Sequence, residues 1–161
     1  MIFNILLEPN QDYKNILPKK GSLMAIDVGS KRLGIAKSDQ TRIIATPKLI
    51  INRSSNLKDF AKIAELIEEY QIAALVVGYP INMDGSAIEM SKFAENFAKN
   101  LDDFLENKLP IFLFEERLSS FEARTLGYNK ISRNHKSKFI DDIAASIILQ
   151  HFLDEFCQSA H

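Results

Sequence analysis

One cysteine, Cys157, in 161 residues excludes an internal disulfide and leaves nothing that resembles a Cys-rich zinc module. Net charge is nearly absent too. Twenty Lys and Arg stand against 21 Asp and Glu, a formal charge of −1, which excludes a protein that holds a polyanion by bulk charge alone. Any nucleic-acid contact has to use a local patch. No stretch approaches the ~20 apolar residues of a membrane span. The apolar start, Met1 to Leu7, has no positive region before it and no small-residue cleavage site, and Glu8 follows at once, so it makes a poor signal peptide. Repeats and low-complexity linkers are missing as well. These absences predict a cytoplasmic protein with no membrane association.

What remains is an ordinary domain composition, 46% hydrophobic and 25% charged. At about 100–200 residues per domain the length predicts one domain, large enough to bury roughly 68–70% of its unfolded surface without a staple. The expected layout is an N-terminal extension over 1–21, a domain over 22–156 and a short tail over 157–161.

Within that domain, Leu23 to Val28 is an apolar run interrupted by Asp27 and bounded by Gly29, which fits a buried central strand. Residues 33–39 and 43–51 read as two further strands of a meander. Asn56 is a candidate cap for a helix over 57–70, with Phe60, Ile63, Ala64 and Ile67 at helical spacing. Residues 73–77 form the next buried strand, stopped by Gly78 and Pro80. Ser86 and Glu89 have capping-box spacing and open a helix to about Leu105. Residues 111–114 form a last strand that runs into Glu115, Glu116 and Arg117. A short helix over 119–127, a basic loop over 129–136 and a final helix from Ser137 to about Phe156 complete the chain. The order predicts an α/β fold: a mixed five-stranded sheet flanked by helices, antiparallel at one edge and parallel elsewhere. Phe93, Phe97, Phe112, Phe114 and Phe139 fit its core better than a base-stacking platform. None of the three histidines, His135, His151 and His161, carries a catalytic signal.

Chemistry concentrates in the acids. Asp27 lies late in the first strand, and Glu115 and Glu116 lie at the end of the last, where functional groups of such sheets gather. Asp141 or Asp142, near the start of the final helix, supplies a third carboxylate; Asp141 shares a stripe with Ala145, Ile148 and Phe152 and should face the domain. Converging carboxylates repel one another unless a cation lies between them. Mg²⁺ or Mn²⁺, hard ions that take oxygen ligands, would remove that repulsion and support phosphodiester hydrolysis. The bland alternatives are a solvated strand end at Glu115–Glu116 and a first-turn helix acid at Asp141. They do not account for Asp27, an acid inside a buried run.

Cations flank the acids. The turn Gly29-Ser30-Lys31-Arg32 follows Asp27 directly and can bring backbone amides and two positive charges to a phosphate, although a plain hairpin turn has the same composition. Between Gly127 and Ile140 lie Lys130, Arg133, Lys136 and Lys138 and no acid, a segment fit either to grip a phosphate backbone or to sit as a solvated loop. Arg117 is placed to orient a carboxylate or to stabilise a phosphate in the transition state.

Four blocks in order, from Ile26 to Asp39, from Val77 to Ser86, from Glu115 to Ser119 and from Ile140 to Gln150, make the chain resemble the YqgF family of bacterial proteins over about 22–153. Holliday-junction resolution and maturation of the 5′ end of pre-16S rRNA have both been ascribed to that family. The resemblance implies a ribonuclease-H-like fold, a divalent-metal phosphodiesterase site, and Asp27, Glu116 and Asp141 as its acidic triad. Glu115 stands where the family usually has Asp, and Ser120 where Thr is common.

The leading expectation is therefore an Mg²⁺- or Mn²⁺-dependent endonuclease that processes pre-rRNA, possible contacts with ribosomal precursor particles included. Asp27, Glu116 and Asp141 would hold metal, while Lys31, Arg32, Arg117, Lys130, Arg133, Lys136 and Lys138 hold phosphates. One alternative is a resolvase of branched DNA, and another is a non-catalytic RNA-binding assembly factor. A third, an ATP-binding module, is suggested by the Asp-x-Gly-x-x-x-x-Gly pattern at Asp27–Gly34, similar to that of the actin and Hsp70 superfamily. That class needs a second domain to close over its nucleotide. Monomer and homodimer are both compatible with the sequence.

Overall fold

The computed structural model describes residues 1–117 and 136–158, and of Arg117 and residues 136–142 the backbone alone. In chain order the described elements are β1 (Ile2–Asn4), α1 (Tyr13–Ile16), β2 (Ser22–Val28), β3 (Arg32–Ser38), β4 (Ala45–Asn52), α2 (Asn56–Glu69), β5 (Ile72–Ile81), α3 (Glu89–Phe104), β6 (Ile111–Arg117) and α4 (Lys136–Phe156). The short helix expected over 119–127 lies outside the described residues.

The strands form one mixed sheet in the order β1-β6-β5-β2-β3-β4. The meander β2-β3-β4 is antiparallel, and β2-β5-β6 is parallel, as the order of elements predicts. The sheet has six strands rather than five because residues 1–21 contribute to it. β1 pairs in parallel with the start of β6, Ile2 opposite Ile111. Ile5, Tyr13 and Leu17 are buried behind it, and the rings of Phe3 and Tyr13 lie 5.4 and 6.0 Å from that of Phe112. Three residues are too few for a periodicity to show, which is why this strand escapes a pattern-based reading.

Side chains alternate across the sheet and build two cores. Met24, Ile26, Val28, Val77 and Leu113 pack with Phe60, Ile63, Phe97 and Leu101 from α2 and α3. Leu23, Ala25, Ala36, Ala74, Val76, Phe112 and Phe114 pack with Ala145, Ile148, Leu149, Phe152 and Leu153 from α4. The second face is lined with small residues at its centre, which lets α4 lie close to the strands. At Gly78 the approach is closest: a Cβ there would stand 2.7 Å from Ile148 Cδ1.

Three expected boundaries move. β5 does not stop at Gly78 but runs to Ile81, through Pro80. Its pairing with β2 ends at Ile26–Val77, so Pro80 lies where β5 has no β2 neighbour and the missing N–H is tolerated. α3 begins at Glu89, not Ser86. Ser86 is used in the preceding loop, where its hydroxyl meets Asp84 at 2.6 Å and Asn82 at 2.9 Å; the capping hydroxyl belongs to Ser91, which accepts from the Ile88 N–H at 2.9 Å and donates to the Pro80 carbonyl. The cap of α2 is Ser55, whose side chain accepts from the Lys58 N–H at 3.2 Å, one residue before the expected Asn56. Phe93 also departs from expectation: it is 37% exposed and lies against Arg53 instead of in the core.

Candidate functional site

Strand parity decides which acids can meet. Leu23 and Ala25 point to the α4 face while Met24, Ile26 and Val28 point to the other, so Asp27 belongs to the α4 face. By the same alternation Phe112 and Phe114 put Glu116 on the α4 face and Glu115 on the opposite one. The register thus puts Glu116, the residue the family resemblance implies, and not Glu115 on the face of Asp27. Asp27 and Glu116 occupy the carboxyl-end edge of the sheet, on the strands that flank β5. Both are half-buried.

The nearest positions to Asp27 on the two neighbouring strands are glycines. It pairs with Gly34 on β3, and on the β5 side the position after the Ile26–Val77 pair is Gly78. At Gly78 the space above the sheet is taken by Ile148 of α4, which a Cβ there would meet at 2.7 Å. Asp141 stands in α4 four residues before Ala145 and seven before Ile148, both buried against the sheet. Its backbone position is thus on the sheet-facing stripe, as the spacing predicts, and its side chain lies outside the described set. Among the described residues no three carboxylate, imidazole or thiol groups converge, and that set does not include the side chain of Asp141.

These residues fit a hard divalent ion by donor chemistry. The two described acids are anionic oxygen donors on one face, at one edge, and neither Cys157 nor His151 lies on β2 or β6 beside them.

The β2–β3 turn gives the edge its cations. Asp27, Gly29, Ser30, Lys31 and Arg32 line an open depression of about 210 Å³. The Gly29 N–H donates to the Arg32 carbonyl at 3.0 Å, and a Cβ on Gly29 would stand 2.7 Å from that same oxygen. A side chain cannot be accommodated there without opening the turn. Lys31 is exposed and Arg32 half-buried. Of the other expected phosphate contacts, Arg117 ends β6 opposite Ile81, and Lys136 and Lys138 both fall in the first turn of α4, as the sequence predicts for Lys138 but not for Lys136. Lys130 and Arg133 lie outside the described residues.

A pattern-based reading misses Arg53 and Asp59 altogether. Arg53 leaves β4 behind the turn and is paired with Asp59 at 3.2 Å, on the face opposite Asp27. The signal was available: Asp59 precedes Ile63 by four and Leu66 by seven, so an acid sits on the buried stripe of α2.

Comparison with known proteins agrees with this architecture. The protein from Roseobacter denitrificans is 36% identical over 151 residues, 93% of each chain. That from Thermoanaerobacter pseudethanolicus is 39% identical over 134 residues, 82% of this chain and 95% of its own. Each carries the name "Putative pre-16S rRNA nuclease". Among solved structures, RuvC of T. thermophilus in complex with a Holliday junction substrate superposes with a TM-score of 0.51 at 15% identity, over 84% of this chain and 94% of that one. That likeness establishes the ribonuclease-H-like fold. The model of the family described as "RuvX: Holliday junction resolvase" matches residues 21–155, so the chain belongs to this family, the one its four sequence blocks resemble.

Proposed function

We propose that the protein is a divalent-metal-dependent endonuclease that cleaves structured RNA, with the 5′ end of pre-16S rRNA as its substrate. The observation that carries the reading is the placement of Asp27 and Glu116 on one face and one edge of the sheet, beneath the helix that contains Asp141. In it, Asp27, Glu116 and Asp141 hold Mg²⁺ or Mn²⁺. When bound, the ion activates water and stabilises the leaving oxygen of an in-line displacement. Lys31 and Arg32 hold phosphate oxygens next to Asp27, so the backbone enters against the β2–β3 turn. Arg117 and the Lys130–Lys138 segment extend that grip. The contacts are to phosphate, which fixes register without reading bases.

The names of the relatives favour pre-rRNA. The description of the family favours branched DNA as the second reading. Incubation with a precursor fragment spanning the 5′ end of 16S rRNA and with a four-way DNA junction, each with Mg²⁺, Mn²⁺ or chelator, separates them. The expected result is cleavage of the RNA in both metal conditions, none with chelator, and none with Asp27→Asn, whose melting temperature should stay near that of the parent. Undiminished cleavage by Asp27→Asn, or cleavage indifferent to chelator, would refute the assignment.

A further inference from the structure

Behind the β2–β3 turn, Arg53 is held on every side. Its Nε donates to Asp59 Oδ2 at 3.2 Å, its Nη2 to Asn56 Oδ1 at 2.8 Å and its Nη1 to the Gly29 carbonyl at 3.4 Å. Its backbone N–H donates to the Lys31 carbonyl at 2.9 Å. The guanidinium carbon lies 5.7 and 5.3 Å from the ring centroids of Phe93 and Phe97. Asp59 is equally constrained: it is 2% exposed, and its Oδ1 accepts from the Ser54 amide at 3.2 Å and the Ser54 hydroxyl at 3.4 Å.

A lysine would neutralise Asp59 equally well. What the guanidinium adds is a planar fork that satisfies Asp59, Asn56 and the turn at the same time. Two carbonyls of the turn are tied to this residue, Gly29 through the guanidinium and Lys31 through the backbone N–H, and the guanidinium is itself anchored on α2. The turn in question carries Lys31 and Arg32 to the edge of the depression that Asp27 lines.

We infer that Arg53, seated on Asp59, is a positioning residue: it fixes the Gly29–Arg32 turn so that Lys31 and Arg32 are already in place for phosphate oxygens of a nucleic-acid strand beside Asp27. A turn ordered before binding spares the entropy that ordering two long side chains at binding would cost. The nature of the ligand rests on the nuclease reading; the holding of the turn rests on the hydrogen bonds alone.

The test uses the full chain and a variant that keeps net charge constant, Arg53→Gln with Asp59→Asn, so that no buried carboxylate is stranded. Two readouts are taken: amide hydrogen exchange across residues 29–32, and the affinity for a labelled pre-16S 5′-end RNA measured in Ca²⁺. The paired variant should exchange faster at those amides than at the rest of the sheet and bind RNA about tenfold more weakly, the effect of two side chains ordered on binding. In a Lys31→Ala/Arg32→Ala background the same pair should change affinity less than twofold, since the turn then has nothing to present. Arg53→Lys, with Asp59 kept, should bind RNA as weakly as the paired variant. Unchanged exchange at residues 29–32, or losses that multiply in the combined variant, would overturn the inference; so would a lowered melting temperature with unaltered affinity below the transition. If the parent protein binds no RNA, the nuclease reading falls and the exchange result still decides whether Arg53 holds the turn.

Discussion

Replacing Gly78 by Ala tests how closely α4 is seated on the sheet. The new methyl would stand 2.7 Å from Ile148 Cδ1, against 3.4–4 Å for an ordinary contact. Ile148 therefore has to retreat by about 0.7 Å or more to reach carbon–carbon contact distance. It is 2% exposed and wedged among Ala145, Leu149 and Phe152, all fully buried, so the retreat forces an off-rotamer side chain or lifts α4. Overpacking of this kind costs about 1–3 kcal/mol. Ala in place of a strand glycine returns about 0.5–1 kcal/mol. The net expectation is a loss of about 1–2 kcal/mol, or roughly 5 °C in melting temperature for a domain of this size. The companion change supplies the control. Ile148→Val removes Cδ1, and the next atoms, Cγ1 and Cγ2, stand at 3.6 and 3.9 Å, which is enough. Alone it should cost about 0.5–1.5 kcal/mol; combined with Gly78→Ala it should cost no more than it does alone. Urea denaturation of the four proteins measures the coupling. Additivity to within about 0.5 kcal/mol, or a Gly78→Ala protein as stable as its parent, would show that α4 is not seated on Gly78. Because α4 also carries Asp141, cleavage should fall in the single variant and recover in the double one.

Strand parity predicts that Glu116→Gln abolishes cleavage while Glu115→Gln keeps most of it, as read from RNA product per enzyme under saturating metal; the reverse order would mean that β6 is out of the register described. Asp39 predicts a pH dependence. Burial works to raise its carboxyl, but the Ile44 amide, the Thr41 hydroxyl and the Ile43 amide outweigh that and hold it at about 2, from an ordinary 3.8. A depressed folded pKa contributes stability that is full above about 4 and is lost as pH falls toward 2. Denaturation midpoints should thus drop more steeply for the parent than for Asp39→Asn across that window, and parallel curves would count against the turn geometry.

The sequence made the meander, the parallel half and the two acids on β2 and β6 legible because each rests on long apolar runs with distinct boundaries. It misplaced the start of α3 because Ser86 and Ser91 are both hydroxyls near an apolar stripe, and it is Ser91 that accepts from the Ile88 N–H while Ser86 is engaged with Asp84 and Asn82. It stopped β5 early because glycine and proline usually end strands, whereas here β5 outruns its neighbour β2. The role of residues 1–21 was illegible for a different reason. β1 has three residues, and what holds it is the ring cluster around Phe112, a contact between segments more than a hundred positions apart. Arg53 and Asp59 escaped because a buried ion pair leaves no periodic trace beyond one acid on an apolar stripe.

The candidate site is built from both sides of one sheet. On the α4 face, small residues at the centre let the helix lie close to the strands, and Asp27 has glycines as its strand neighbours. On the α2–α3 face, where apolar side chains are larger and the core is continuous, the buried Arg53–Asp59 pair reaches around the strand end to the turn that follows Asp27. A buried pair of this kind is weak evidence for stability, since desolvation offsets most of its attraction. What it fixes, under the inference above, is the turn that follows Asp27. Asp27 and the turn that carries Lys31 and Arg32 are consecutive in the chain, so under the proposed function any play in the turn would change the distance between a bound phosphate and the carboxylate. Under the proposed function, holding that turn from the far face would remove the play without adding a side chain on the Asp27 face.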